Sequence, residues 1–462
     1  MANELNLRVQ PNTPAVPADS GIRLVYLLIS TSPAVKLGQA QVPINLAIVV
    51  DKSESMTIPV LSQEQFEELR RMGQVKEVVS DGIPVYSFKK IPDHIRRAAP
   101  SNLEMVKKAL QVAADNLEPH DRFSVVAFAS RANVLASGQS GNNRQAIQAV
   151  IDTIDSVAVG DETAMAEGIA VGLAEVRKGA GANVINRLIV LTDGYTLAPE
   201  RVQELAGEAA SQNISVSTMG IGSDFNENLL VGIADKSGGN AYFAKNPADI
   251  PPAFQQELSA VQSVSIMGIN LSIKLASGVE LRRAHRVRPV ISDLGALPLD
   301  NRSVAIPLGN LEAENPPAAL LELLVPARPA GSYRVAEVTA SYTMPGLGEQ
   351  SSKVDALLNY SADQSQVAQQ DPQVMNIVER VSAFKLQTRA LNEAEMGNIQ
   401  AATSKLQQAA TRFLEMGEVE LATAASREAA NLEQGGALSS GGAKELKYAT
   451  RRLTQRLDRL PE

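Results

Sequence analysis

The chain has no cysteine at all. Disulfides, thiolate metal sites and cysteine nucleophiles are thereby excluded, and the absence fits a reducing compartment. Long apolar runs are missing too. The longest, within IRLVYLLIS (22–30), falls far short of the roughly 20 residues that a membrane span needs. The first residues, MANELNLRVQPN, show neither a basic n-region nor an apolar h-region, so no secretory leader is read there. Basic charge is not in excess: 43 Lys and Arg stand against 51 Asp and Glu, a net charge of -8. Nucleic acid and anionic membrane are therefore disfavoured as main partners. No G-x-x-x-x-G-K-[ST] phosphate loop occurs, so any nucleotide hydrolysis would have to come from a partner. These absences leave the expectation of a soluble, cytoplasmic protein.

What is present is ordinary globular composition, 44% hydrophobic and 20% charged over 462 residues, enough for about three domains. From Ile44 to about Asn246, short apolar runs alternate with amphipathic segments. The runs are INLAIVV (44–50), FSVVAFA (123–129), RLIVLT (187–192), ISVSTMGIG (214–222) and AYFA (241–244). This is the rhythm of a Rossmann-like, doubly wound α/β sheet with helices on both faces. NVLA (133–136) adds an antiparallel edge strand. Residues 5–10 and 21–31 have strand periodicity, as do segments between 263 and 360 such as ALLELLVP (319–326). The α/β domain is thus expected to be inserted in a β-sandwich built from both flanks. After Asp371 the pattern turns helical, and EMGNIQAAT (395–403) and EMGEVELAT (415–423) repeat a junction. A small helical bundle is expected, with a tetratricopeptide-like groove as the alternative. The divisions are 1–43 and 261–362 for the sandwich, 44–260 for the α/β domain and 363–462 for the bundle.

The chemistry concentrates at the ends of the parallel strands, where such sheets place their ligands. Asp51, Ser53 and Ser55 follow the first run as D-x-S-x-S. Alternate side chains share one side of an extended loop, so a carboxylate and two hydroxyls can converge. Thr163 and Asp193 occupy two further strand ends, in GDET (160–163) and TDG (192–194). All are hard oxygen donors, suited to Mg²⁺ or Mn²⁺. The constellation resembles the metal-ion-dependent adhesion site of the von Willebrand factor type A domain over roughly residues 44–250, with its parts in the family's order. That resemblance implies an ion, Mg²⁺ with Mn²⁺ or Ca²⁺ as alternatives, bound through the hydroxyls of Ser53, Ser55 and Thr163. Asp51 and Asp193 would act through hydrogen bonds to hydroxyls and waters. It also implies an open position filled by an acidic side chain of a partner protein. Glu54 stands where many relatives have glycine. The competing view is that the hydroxyls only cap loops and helices. Asp161 and Glu162 fit a solvated acidic turn better than a supporting ligand set.

The first persuasive helix after Ser55 starts only at PSNLE, where Ser101 and Glu104 form a capping box. Residues 57–100 therefore read as an insertion at the rim of the site, with a helix at 62–72 and a hairpin turning at Asp81–Gly82. Phe66, Tyr86 and Phe88 are its candidate partner-binding aromatics, or else its own small core. The function expected is a metal-dependent protein-interaction scaffold, not an enzyme. By analogy alone, an AAA+ ATPase is a possible partner. A metal-assisted hydrolase is the first alternative, opposed by the sparse histidines, His94, His120 and His285. A metal-independent structural assembly protein is the second. The basic stretch LRRAHRVR (281–288) is expected on an exposed strand face. The basic residues of 444–459 are expected on a solvated helix face, with Leu446, Leu453, Leu457 and Leu460 packed inward.

Overall fold

The computed structural model describes residues 5–34, 42–80, 83–181, 183–295, 297–298, 302–313, 315–455 and 457, with backbone alone at 78–80, 83–87, 297, 298 and 440. Three N-terminal strands come first: β1 (Leu5–Pro11), β2 (Ala15–Pro17) and β3 (Arg23–Pro33). β4 (Ile44–Asp51) then enters a different sheet and is buried at every position. An excursion follows: α1 (Glu54–Thr57), α2 (Gln63–Arg71), β5 (Val75–Ser80), β6 (Ile83–Phe88) and α3 (Asp93–Ala98). Capping boxes start both α2, from Ser62 and Gln65, and α4 (Asn102–Asn116), from Ser101 and Glu104. The hairpin turn expected at Asp81–Gly82 lies outside the described residues.

The sheet continues with β7 (Arg122–Phe128), β8 (Ala132–Ser140), β9 (Ile185–Thr192), β10 (Ile214–Ile221) and β11 (Ala241–Ala244). Between and after these strands run α5 (Arg144–Thr153), α6 (Met165–Gly179), α7 (Pro199–Ser211), α8 (Glu227–Ser237) and α9 (Ile250–Gln262). Spatial order is β11-β10-β9-β4-β7-β8, with β8 antiparallel at the edge. One apolar layer joins α4, α5 and α9 to the sheet, and a second joins α6, α7 and α8 to its other face. Two covered faces explain why β4, β9 and β10 read as unbroken apolar runs. The order reverses between β4 and β9, and it is beside the carboxyl ends of strands at such a switch point that doubly wound sheets place their ligands.

The chain returns to the flanking strands through β12 (Val264–Leu275), β13 (Glu280–Arg288), β14 (Ser292–Asp293), β15 (Leu297–Pro298), β16 (Ser303–Glu312), β17 (Ala318–Val325), β18 (Gly331–Met344) and β19 (Gly348–Ser361). One sheet has the order β1-β3-β17-β13-β14 and the other β15-β16-β12-β18-β19-β2. The α/β domain is inserted between β3 and β12 of this sandwich. β17 shows the logic of its burial. Ala319, Leu321, Leu323 and Val325 face the sandwich core, while Ala318 and Leu320 face the helices beyond. Those helices are α10 (Gln364–Val367), α11 (Pro372–Glu395), α12 (Ile399–Glu415), α13 (Val419–Gly435) and α14 (Ser440–Arg451). Gly397 and Gly417, the repeated junction glycines, turn the chain at φ +80° and +77°, a conformation that glycine takes without steric cost.

Both basic stretches differ from expectation. His285, Arg286 and Arg288 are buried, as are Lys444 and Arg451. Alternation failed as a guide because β13 is covered on its outer face by the helical bundle. Asp235 of α8 is the joint. Its carboxylate accepts from Arg286 at 2.7 Å and from both terminal nitrogens of Arg451 at 2.6 and 2.7 Å. Lys444 pairs with Glu227 at 3.1 Å and stands 4.0 Å from the centroid of Phe225. Leu446 and Leu453 are buried and Leu457 half-buried, while Leu460 lies outside the described residues. Asp235→Ala would leave two buried guanidinium groups unpaired, and we expect a loss of about 3–5 kcal/mol. Urea unfolding should show it, with faster tryptic cleavage ahead of the bundle; an unchanged midpoint would contradict the role.

Candidate functional site

The carboxyl ends of β4 and β9 are organised by one hydrogen-bonded chain. Asp51, the last residue of β4, accepts the Ser53 N–H at Oδ1 (2.8 Å) and the Thr192 hydroxyl at Oδ2 (2.6 Å). The first bond folds the D-x-S turn, and the second ties the ends of β4 and β9 together. Lys52 N–H donates to the Phe128 carbonyl (2.7 Å), anchoring the same loop to β7. The Ser53 and Ser55 hydroxyls are hydrogen-bonded at 3.1 Å, with either oxygen able to donate. Ser55 is also placed to donate to Asp193 Oδ1 (2.7 Å). The other Asp193 oxygen accepts from Asn102 Nδ2 (2.8 Å) at the start of α4.

Thr163 lies against Gly194, the residue after Asp193. A Cβ built on Gly194 would meet the Thr163 hydroxyl at 3.2 Å, so the glycine keeps that space open. The Thr163 carbonyl accepts from the Thr196 hydroxyl and from Leu197 N–H, each at 3.0 Å. The loop carrying Thr163 is thereby clipped to the loop after β9. Asp51, Ser53 and Asp193 are buried, Thr163 is half-buried and Ser55 is exposed. The group thus opens to solvent at Ser55.

Burial dominates the electrostatics. It pushes the Asp51 carboxyl up to about 6, against the pull of its bonds from Thr192 and Ser53. Burial raises Asp193 too, opposed by Ser55 and Asn102. Each carboxylate oxygen accepts one hydrogen bond, which holds both groups in place beside the hydroxyls and makes an all-oxygen donor set. A hard cation suits that donor set. Asp161 and Glu162 are exposed. Phe66 and Phe88 stand edge to face with centroids 6.4 Å apart, forming a small core inside the insertion. Tyr86 pairs through its backbone with Glu77, and its side chain lies outside the described residues.

Two participants were missed from sequence, Thr192 and Asn102. Thr192 is a lone hydroxyl closing the apolar run LIVL, which was a usable signal. Asn102 had only its place directly after the capping serine, and nothing local points it toward a strand some 90 residues away in sequence.

Residues 92–257 match the von Willebrand factor type A domain model, and residues 372–456 match the Sll0103-like, C-terminal alpha-helical domain. The chain therefore carries a von Willebrand factor type A α/β domain followed by a C-terminal helical domain. The first match begins beyond β4, although β4 pairs within the same sheet; the long excursion lies between them. The protein sll0103 of Synechocystis sp. is 27% identical over 368 residues, covering 79% of this chain and 87% of its own. A von Willebrand factor type A structure from Catenulispora acidiphila superposes with a TM-score of 0.73 at 16% identity, over 96% of each chain. The ArnB paralog VWA2 from Sulfolobus acidocaldarius gives 0.56 at 16% identity, over 97% of this chain and 98% of its own. Both structures share the fold across nearly the whole length. Among the described residues, no helix is long and apolar enough to cross a membrane.

The raised Asp51 carboxyl has a signed consequence for the metal-free protein. Between its ordinary 3.8 and about 6 the folded state binds more protons, so stability falls as pH rises through that window. Asp51→Asn removes the effect. Relative to wild type in chelator, the variant should gain on the order of 3 kcal/mol between pH 4 and pH 7. Urea midpoints at the two pH values provide the check; parallel pH profiles would contradict it.

Proposed function

We propose that the chain is a divalent-metal-dependent protein-interaction scaffold built on a metal-ion-dependent adhesion site. Ser53, Ser55 and Thr163 would hold Mg²⁺, or Mn²⁺ or Ca²⁺, through their hydroxyls. Asp51 and Asp193 would orient those hydroxyls and balance the charge from behind. The ion, when bound, supplies an electrophilic coordination position that a partner's carboxylate can fill. The observation that carries this reading is the hydrogen-bonded chain from Asp51 through Ser53 and Ser55 to Asp193. That chain would leave hydroxyl oxygens available to an ion, with both carboxylates in support.

The positions of the histidines favour binding over metal-assisted hydrolysis. His94 faces Glu68 at 3.1 Å within the insertion, His120 lies 3.7 Å from Glu118 and Asp121, and His285 is buried in β13. None is bonded to the hydroxyl group, so an imidazole general base would have to be brought there. The sandwich and bundle then serve as a rigid mount. An AAA+ ATPase is one class of partner consistent with a scaffold that has no phosphate loop of its own.

Calorimetry provides the direct test. Wild type should give saturable heat with magnesium, and Ser53→Ala or Asp51→Ala should weaken binding by about tenfold or more with circular dichroism unchanged. No heat with magnesium, manganese or calcium would overturn the metal assignment. Capture of a protein partner should be lost in chelator; capture that ignores chelator would favour metal-independent assembly. Deleting residues 58–99 should change which partners are captured while leaving the magnesium constant within about threefold, a small change on the scale of ligand loss.

A further inference from the structure

Four large apolar side chains stand exposed on the segments that carry the hydroxyl group, beside the exposed polar residues Glu54, Thr57, Asp161 and Glu162. Ile58 is 41% exposed, Val60 49%, Tyr195 65% and Leu197 54%. They are four of the thirteen large hydrophobic side chains that are exposed among the described residues; Ile58 and Val60 follow directly on α1, which carries Ser55, and Tyr195 and Leu197 lie in the loop that carries Asp193. Their backbones are tied to the site. Ile58 N–H donates to the Ser55 carbonyl (3.3 Å), and Leu197 N–H donates to the Thr163 carbonyl (3.0 Å). Pro59, between Ile58 and Val60, bridges to Ser101, next to the Asn102 that bonds Asp193. The Thr196 hydroxyl lies 3.0 Å from the Thr163 carbonyl, the Leu197 carbonyl and the Met165 N–H. These bonds fix the backbone at Ile58 and Leu197 and at their neighbours Pro59 and Thr196, and such preorganisation lowers the entropic cost of binding.

We propose that Ile58, Val60, Tyr195 and Leu197 form a recognition rim for a protein segment in which one acidic residue is flanked by large apolar residues. This rests on the metal-centred reading for the acidic residue and extends it to the flanks. A free carboxylate, a glycan or a nucleotide would leave the rim in water. A peptide with apolar neighbours buries it and gains from removing that surface from water, and tyrosine is among the residue types enriched at the contacts that dominate binding.

Fluorescence polarisation on the full chain in magnesium tests it. The probe is a fluorescein-labelled peptide with one aspartate between leucine and phenylalanine. Its controls have glycine flanks, or asparagine in place of the aspartate. The apolar-flanked peptide should bind about tenfold or more tightly than the glycine-flanked one. In the double variant Tyr195→Ser, Leu197→Ser the two should converge, with magnesium heat and thermal unfolding unchanged. Equal affinity of the two peptides for wild type, undiminished discrimination by the variant, or no binding of either peptide would overturn the rim. Loss of magnesium heat sinks the metal-centred reading alone. In that case the asparagine peptide, compared with and without apolar flanks, still decides the rim: tighter binding with flanks sustains it and equal binding overturns it.

Discussion

A carboxylate that has been taken out of water, Asp51, is the constraint on which the candidate site depends. Its two oxygens reach a backbone N–H two residues on and a hydroxyl at the end of the neighbouring parallel strand. The first contact shapes the turn that presents Ser53 and Ser55. The second fixes the separation of β4 and β9 at the point where strand order reverses. Burial makes the charge costly and hydrogen bonds recover part of the cost. A carboxylate so bonded and fully buried supports the turn from behind rather than facing solvent.

A half-buried carboxylate facing two buried guanidinium groups governs assembly. Asp235 belongs to the α/β domain, Arg286 to the sandwich and Arg451 to the last helix, and the three meet at one carboxylate. The same helix stacks Tyr448 on Phe243, with centroids 5.6 Å apart, and Phe225 lies 6.0 Å from Phe243. Three segments distant in the chain are thereby clamped into one body. The hydroxyl group and its apolar rim stand on a mount whose parts cannot turn freely against each other. A binding scaffold benefits from that, because flexibility in the mount would add to the entropic cost of every capture.

Legibility in the sequence followed the range of the interactions. The capping box of Ser101 and Glu104 lies within four residues and was readable as it stands. So were the apolar strands, since their continuity reports cover on both faces. The sandwich needed pairing between residues hundreds of positions apart, such as β3 with β17, yet its strands could be listed because alternation is local. Where a long-range partner decides burial, sequence misled. LRRAHRVR has the alternation of an exposed strand, but the bundle lies over it. KELKYATRR has the charge of a solvated face, but Glu227 and Asp235 wait on the other side of the interface.

From sequence alone, then, come the elements, their order along the chain and the residues with oxygen chemistry at strand ends. Hydrophobic period, capping and turn preferences are properties of a few neighbouring residues, and they survive without knowledge of the rest. Only the tertiary structure decided that Thr192 and Asn102 complete the hydrogen-bonded chain, that Phe66 and Phe88 meet each other, and that two basic stretches are internal joints. Those outcomes depend on which surfaces come together, and the free energy of burying a charge or a ring is set by what lies opposite it.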